Sequence, residues 1–162
     1  MNPDLEHLIV LQAQDLELGR LRAEQAEAPR LVAAAEQAHK AAEAELANTR
    51  QSLAAEEKLR RTQESDADSH RSKIARLRRQ MDAATSAAQI SALEHEIGFA
   101  ESAIRTLEDE ELASLERTEQ LEARQTAAAA ELDRTRAALD AERLRAVETQ
   151  DRTRAAVAAM EG

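Results

Sequence analysis

The feature that most restricts the fold of this chain is how rarely a glycine or a proline interrupts it. Three glycines and two prolines stand in 162 residues. Sandwiches, barrels and repeated strand–helix folds need such residues at their many turns. The chain has no Trp or Tyr and a single Phe, so large side chains are too few to fill a compact globular centre. The composition is typical of long helices and coiled coils, and it predicts an all-α protein.

Several functional classes are excluded by what the sequence lacks. Without cysteine there is no disulfide framework, no Cys-ligated zinc and no thiol nucleophile. No Gly-rich phosphate loop or nucleophile elbow occurs, and a two-helix protein offers no cleft that would shift the pKa of a catalytic acid. The four histidines are too far apart in sequence for a helical metal-ligand pair, and we interpret them as solvated surface residues. We therefore expect no enzyme activity, no metal and no cofactor.

Charge and hydropathy indicate where the protein works. The net charge of −10 argues against nonspecific binding of nucleic acid or anionic lipid by the chain as a whole. The apolar run from Leu8 to Leu11 is too short for a signal peptide or a membrane span. We expect a cytoplasmic protein that does not associate with a membrane.

Two helical arms are predicted from capping signals and heptad-like spacing. The first arm, at about residues 4–84, begins with Asn2-Pro3, a cap followed by a proline at the first helical position. It should be kinked or broken near Pro29, because an interior proline removes a hydrogen bond and crowds the preceding turn. The second arm, at about residues 87–161, follows a capping box formed by Ser86 and Gln89. Its apolar stripe has coiled-coil spacing at first and a less regular phase later, with an eleven-residue step between its third- and second-last members: Ile90, Leu93, Ile97, Ala100, Ile104, Leu107, Leu112, Leu115, Leu121, Leu132 and Leu139.

The simplest arrangement is one domain, residues 1–162, forming a long antiparallel two-arm coiled-coil hairpin with its tip near Ser86. Facing residue numbers should then sum to roughly 172. Residues 58–79 hold eight basic and three acidic side chains, net +5, whereas the facing residues 93–114 hold one basic and seven acidic, net −6. Alanine-rich stretches around residues 33–44 and 127–138 would also face each other, which suits a close approach of the helices. A parallel dimer would place the basic segment of one chain against that of the other. An alternative tip at Ser65–Ser69 would align neither the charged segments nor the alanine-rich stretches well.

Two groups of residues carry a resemblance to a known family. The start combines Leu8, Leu11, Gln12, Asp15 and Leu18, and the middle runs from Thr85 through Ile90, Leu93, His95 and Glu96 to Leu107-Glu108-Asp109. This resembles the bacterial family that joins an N-terminal coiled-coil hairpin to a C-terminal C4-type zinc ribbon. The resemblance covers only the hairpin part, since this chain has no cysteine. Where family members have an Asn-Pro-Lys-Glu-like turn, this chain has Ser86-Ala87-Ala88-Gln89.

The resemblance implies a scaffold or chaperone role linked to flagellar or type III secretion assembly, or to an alternative sigma factor. We expect helical protein partners, and a homodimer is compatible with the sequence. The tip is the predicted contact region, comprising Thr85, Ser86, Gln89, Leu93, His95 and Glu96. Seam packing of Leu93 and solvation of His95 and Glu96 are the simpler interpretations.

Two other functions stay open at this point. One is a nucleic-acid-associated regulator that uses the basic residues of segment 58–79 near the tip: Arg71, Lys73, Arg76, Arg78 and Arg79. Neutralisation by the acidic arm is the simpler interpretation of that segment, and it lacks the aromatic residues that stack on bases. The other is a structural spacer without a dedicated partner.

Overall fold

The computed structural model describes residues 3–161, which form two long helices. Helix α1 spans Pro3–Asp82 and helix α2 spans Ala87–Glu161, and between these limits there is no strand. The two helices pack against each other as an antiparallel hairpin, which confirms the predicted fold class and the tip near Ser86.

The predicted break at Pro29 does not occur, because α1 is helical on both sides of this residue and through it. Pro29 is exposed. Pro29 has no N–H to donate to the carbonyl of residue 25, so the helix lacks one internal hydrogen bond there. A kink at Pro29 stays a prediction.

Burial along both helices follows one strict seven-residue repeat. On α1, positions at alternating steps of three and four from Leu18 to Ala84 are all buried or half-buried. On α2 the same holds from Ile90 to Ala156, with Glu111 as the one exposed position. This is the pattern of a coiled-coil seam, in which every such residue faces the other helix.

Two details of the predicted α2 stripe are wrong. Leu112 and Leu115 are exposed, and the buried seam residue between them is Ser114, seven residues after Leu107. The repeat then continues through Leu121 and Ala128, so there is no eleven-residue step. The sequence interpretation followed the large apolar side chains, whereas the structure places small and polar ones in the seam.

Contacts divide the chain into two compact units. One, here the tip unit, comprises Ala47–Ala127; the other, here the end unit, comprises Met1–Leu46 and Ala128–Gly162. Each contains a stretch of α1 and a stretch of α2. The prediction of a single domain remains untested.

The tip unit contains the main apolar cluster of the protein. Ile74 and Leu77 of α1 are buried with Ile97 and Ala100 of α2, and Met81, Leu93 and Ile104 pack against them. Across the two helices, Lys73 Nζ lies 3.7 Å from Glu96 Oε2, and Arg78 donates a 3.2 Å hydrogen bond to Glu101. These partners have residue numbers close to the predicted sum, so the register is confirmed and the alternative tip at Ser65–Ser69 is excluded.

The end unit fills the same seam with smaller and more polar residues. Leu18, Leu21, Leu46 and Leu139 are buried, but so are Ala42, Ala128, Thr135, Thr149 and Thr153. Of the alanines predicted to face each other, most lie outside the seam and are exposed. The threonine hydroxyls bond carbonyls of their own helix, for example Thr153 Oγ1 to the carbonyl of Thr149 at 2.8 Å. This lets a polar residue be buried without an unpaired group.

Candidate functional site

The tip is a short turn closed by side-chain hydrogen bonds. The Ser86 hydroxyl accepts a 3.2 Å hydrogen bond from the backbone N–H of Gln89, and the Gln89 side-chain oxygen accepts one of 3.4 Å from the backbone N–H of Thr85. The turn contains no residue with positive φ. The predicted cap by Ser86 is therefore present and satisfies one donor that α2 cannot pair itself, while Gln89 reaches back to Thr85, one residue before the cap. The side chains of Thr85, Ser86 and Gln89 are exposed.

The other predicted tip residues lie on α2, within three turns of its start. Leu93 packs against the apolar cluster of the tip unit. Glu96 faces Lys73, and His95 is exposed. The structure therefore brings Thr85, Ser86 and Gln89 together at the turn, and it gives Leu93 and Glu96 contacts within the hairpin.

The predicted basic patch is only partly neutralised. Arg71 donates to Asp68 at 2.8 Å and lies 3.7 Å from Glu108, and Lys73 and Arg78 face acidic residues of α2. Among residues 3–161, Arg76 and Arg79 form no ion pair within 4 Å. Both line an open depression on α1 together with Arg61 and three serines at helical spacing, Ser65, Ser69 and Ser72.

A polar layer in the seam of the tip unit was not predicted. Glu56 accepts hydrogen bonds from the Ser114 hydroxyl at 2.7 Å and from the Arg117 guanidinium at 2.7 and 3.1 Å. The hydrogen bonds from Arg117 and then Ser114 hold the pKa of Glu56 below its ordinary value, and the hydrogen bond to Glu56 raises the pKa of Arg117. Two turns further along α1, Gln63 donates a 3.2 Å hydrogen bond to Glu110.

This polar layer has one recognisable signal in the sequence. Glu56, Arg60 and Gln63 stand where the heptad repeat of α1 requires seam residues. The Nε atom of Arg60 and the side-chain oxygen of Gln63 are buried without a hydrogen-bond partner among the described residues. A polar layer of this kind favours one alignment of two helices over shifted ones, because a shift would place its charges against apolar side chains.

The histidines do not share one environment. His39 occupies a seam position of the end unit, where its Nδ1 lies 3.3 Å from the Thr135 hydroxyl of α2. The interpretation of all four histidines as solvated is therefore wrong for His39, and for His70, which is also at a seam position. His7 and His95 are exposed, and His70 is half-buried.

The described residues offer neither a metal-binding cluster nor a membrane-spanning helix. Between residues 3 and 161, no three His, Asp or Glu side chains are grouped so that they could hold a metal ion. Neither described helix contains an apolar stretch of the length that crossing a membrane requires.

Comparison with known proteins gives one match. No curated protein and no solved structure is significantly similar to this chain. The family model of the CT398-like coiled coil hairpin domain matches residues 11–161. The match covers nearly the whole chain and describes the same architecture as the structure, two antiparallel helices joined by one tip. The chain belongs to the CT398-like coiled coil hairpin domain family.

Proposed function

We propose that the protein is a non-enzymatic scaffold, with a chaperone-like role, that binds other proteins through its coiled-coil hairpin. The observation that carries this proposal is the family match over residues 11–161. It is supported by the antiparallel hairpin, in which each helix buries its seam residues against the other. The partners are proteins, helical ones in our proposal, and the setting is the cytoplasm. A homodimer is compatible with this function.

The resemblance drawn from the sequence supports a narrower proposal about the process. It links the hairpin to flagellar or type III secretion assembly or to sigma-factor regulation. All of these processes need proteins that hold a partner without altering it covalently, which suits a molecule built as a hairpin.

The proposed partner surface is the tip. The sides of the hairpin repeat every seven residues, whereas the turn occurs once and presents Thr85, Ser86 and Gln89 to solvent. His95 is exposed nearby on α2. In this proposal Leu93 and Glu96 support the surface through their contacts with α1.

The tip can be tested without disturbing its cap. The double variant Thr85→Lys with Ala88→Lys changes two exposed positions and leaves Ser86 and Gln89 in place. Ser102→Lys with Thr106→Lys is the matched control, because it adds the same charge at exposed positions further along α2. Proteins retained by each full-length variant from a lysate of the native host are identified by mass spectrometry, and helicity is followed by circular dichroism.

We expect the tip variant to lose partners that the control retains, with equal helicity in both. Equal retention by both variants would place the partner surface elsewhere.

A second candidate function is nucleic-acid binding by the basic segment 58–79. The observation in its favour is that Arg76 and Arg79 form no ion pair within the described residues; the depression that they line also includes Lys73 and Arg61, together with Glu64 and Asp68. Against it, acidic residues of α2 face Arg71, Lys73 and Arg78.

This alternative is tested by gel shift with DNA and RNA over a series of salt concentrations. Arg76→Ala with Arg79→Ala is compared with Arg22→Ala with Arg136→Ala, which removes the same charge from exposed positions of the end unit. Binding that persists at moderate salt and is lost only in the first variant would favour the nucleic-acid function.

A further inference from the structure

A second heptad stripe runs along the beginning of α1, outside the seam. Leu5, Ile9, Gln12 and Leu16 follow one another at steps of four, three and four. Leu16 is 70% exposed and Ile9 57%. Spacing of this kind places the residues on one face of a helix, and three large apolar side chains on that face are open to solvent.

This stripe points away from α2. At about 100° per residue, Ile9 and Leu16 lie about 180° and 200° around the helix from Leu18. Leu18 and Leu21 are buried in the seam. α2 packs on the side of α1 that carries those two leucines, so it cannot also cover Leu5, Ile9 and Leu16; Leu8, Val10 and Leu11, on other faces of this stretch, are exposed as well.

Acidic residues line both edges of the stripe. By the same helical geometry Asp15 flanks the stripe on one side and Glu6 on the other, whereas Asp4 and Glu17 lie further round the helix, about 110° from the centre of the stripe. Residues 4–17 contain these four acids and no Lys or Arg. The nearest arginine, Arg20, already pairs with Glu17 at 2.9 Å and lies 3.9 Å from Glu24.

We propose that this face, residues Leu5, Ile9 and Leu16 with their acidic edges, binds an amphipathic helix of another protein whose apolar stripe is flanked by Lys and Arg. The inference rests on the proposed function as a protein-binding scaffold and adds a second surface with a defined kind of partner. Charge decides against a second copy of this chain, since two such faces would bring acid against acid. Leu5 and Ile9 also precede residues 11–161, the part matched by the family model.

The direct test uses a defined peptide. A fluorescein-labelled 25-residue helix carries Leu and Ile at the two apolar heptad positions and Lys at the flanking ones, and its control carries Glu at the flanking positions. Binding of each peptide to the full chain is measured by fluorescence anisotropy. We expect the Lys peptide to bind and the Glu peptide not to bind, and we expect binding to weaken as salt is raised.

Three variants locate the binding site. Ile9→Gln with Leu16→Gln should reduce affinity for the Lys peptide by about tenfold or more, because two apolar contacts are lost. Glu6→Gln with Asp15→Asn should reduce affinity about two- to fivefold and flatten the salt dependence. Leu144→Gln with Val147→Gln, equally exposed positions on α2, should leave affinity unchanged.

Three results would overturn the proposal: no binding of the Lys peptide, equal binding of both peptides, or equal loss in the α2 control. A dimer in sedimentation equilibrium that Ile9→Gln with Leu16→Gln converts to monomer would assign the face to a second copy instead. These outcomes leave the tip experiment unaffected, so failure of this inference can be distinguished from failure of the proposed function.

Discussion

The tip unit and the end unit share one heptad pattern but stabilise it differently. In the tip unit the seam combines an apolar cluster around Leu77 with ion pairs between the helices, at Glu56–Arg117, Arg71–Glu108, Lys73–Glu96 and Arg78–Glu101. In the end unit the pairs between the helices include Glu36–Arg143 and Glu24–Arg152, and threonine and alanine occupy many buried positions.

A helical hairpin needs both a favourable free energy of packing and close contact between its helices, and the two units meet these needs differently. Large apolar residues supply most of the free energy of packing, since burial stabilises in proportion to apolar area. Small and hydroxyl residues keep the helices in contact but bury less apolar surface. We therefore expect the end unit to open more readily than the tip unit, and amide hydrogen exchange should be faster in its helices.

The largest effect on stability should come from truncating one buried leucine side chain in the seam of each unit. Leu77→Ala in the tip unit should lower the free energy of unfolding by about 2–4 kcal/mol, because the large neighbours Ile74 and Ile97 cannot close the cavity. Leu46→Ala in the end unit should cost less, because at its level α2 presents the small Ala128. Urea unfolding followed by circular dichroism measures both. A larger loss for Leu46→Ala would contradict the comparison.

A smaller effect is expected from the polar layer of the tip unit. Glu56→Gln should lower stability by about 1 kcal/mol at neutral pH, because the charged acceptor for Ser114 and Arg117 is lost. The pKa of Glu56 lies below its ordinary value of 4.5. Its contribution is therefore complete above the ordinary value and is lost as the pH falls through the lower pKa of the folded state.

The stability gap between wild type and Glu56→Gln should accordingly close in acid, which urea unfolding at several pH values measures. Glu57→Gln is the control, because Glu57 pairs with Arg61 on the exposed surface of the same helix and should change stability little. A gap that stays constant into acid would show that the carboxylate charge of Glu56 is not what stabilises the layer.

The smallest expected effect on stability comes from replacing one glycine in each unit. Gly19 of the end unit and Gly98 of the tip unit both lie inside helices, and a Cβ added at either would meet no atom within 4 Å. Each change to alanine should raise stability by about 0.5–1 kcal/mol, since glycine loses more backbone entropy on folding. Hydrogen exchange should show the gain in the unit that carries the substitution. A loss of stability at either position would mean that the glycine is required for a contact that a larger residue prevents.

Much of this architecture was predictable, because it depends on signals that act locally. The capping box at Ser86 and Gln89 and the opposite charges of segments 58–79 and 93–114 predict both the tip and the register. The continuous helix at Pro29 was not predicted, because its cost depends on whether water reaches the carbonyl that loses its donor. Ser114 and the Glu56 layer were missed because a heptad search that counts only large apolar residues passes over a polar seam position.

The candidate sites were less predictable for a physical reason. Whether an arginine such as Arg76 is paired depends on side-chain positions across the two helices, and the net charge of a segment does not determine them. The apolar stripe of Leu5, Ile9 and Leu16 was missed because the leucines at the start of α1, Leu5 among them, were read as one face with Leu18, and Ile9 and Leu16 were assigned to no face. Their separation from the seam follows from the helical phase, which only the burial of Leu18 and Leu21 fixes.

The antiparallel register also has a kinetic consequence. Partners on the two helices are separated by 23 residues for Arg78 and Glu101, by 58 for Glu56 and Ser114, and by 107 for Glu36 and Arg143. Loop closure costs more entropy as the separation grows. The contacts beside the turn are therefore the easiest to make first, and each one shortens the loop that the next must close. We expect folding to begin at the turn, where Ser86 and Gln89 cap the second helix, and to proceed along both helices away from it.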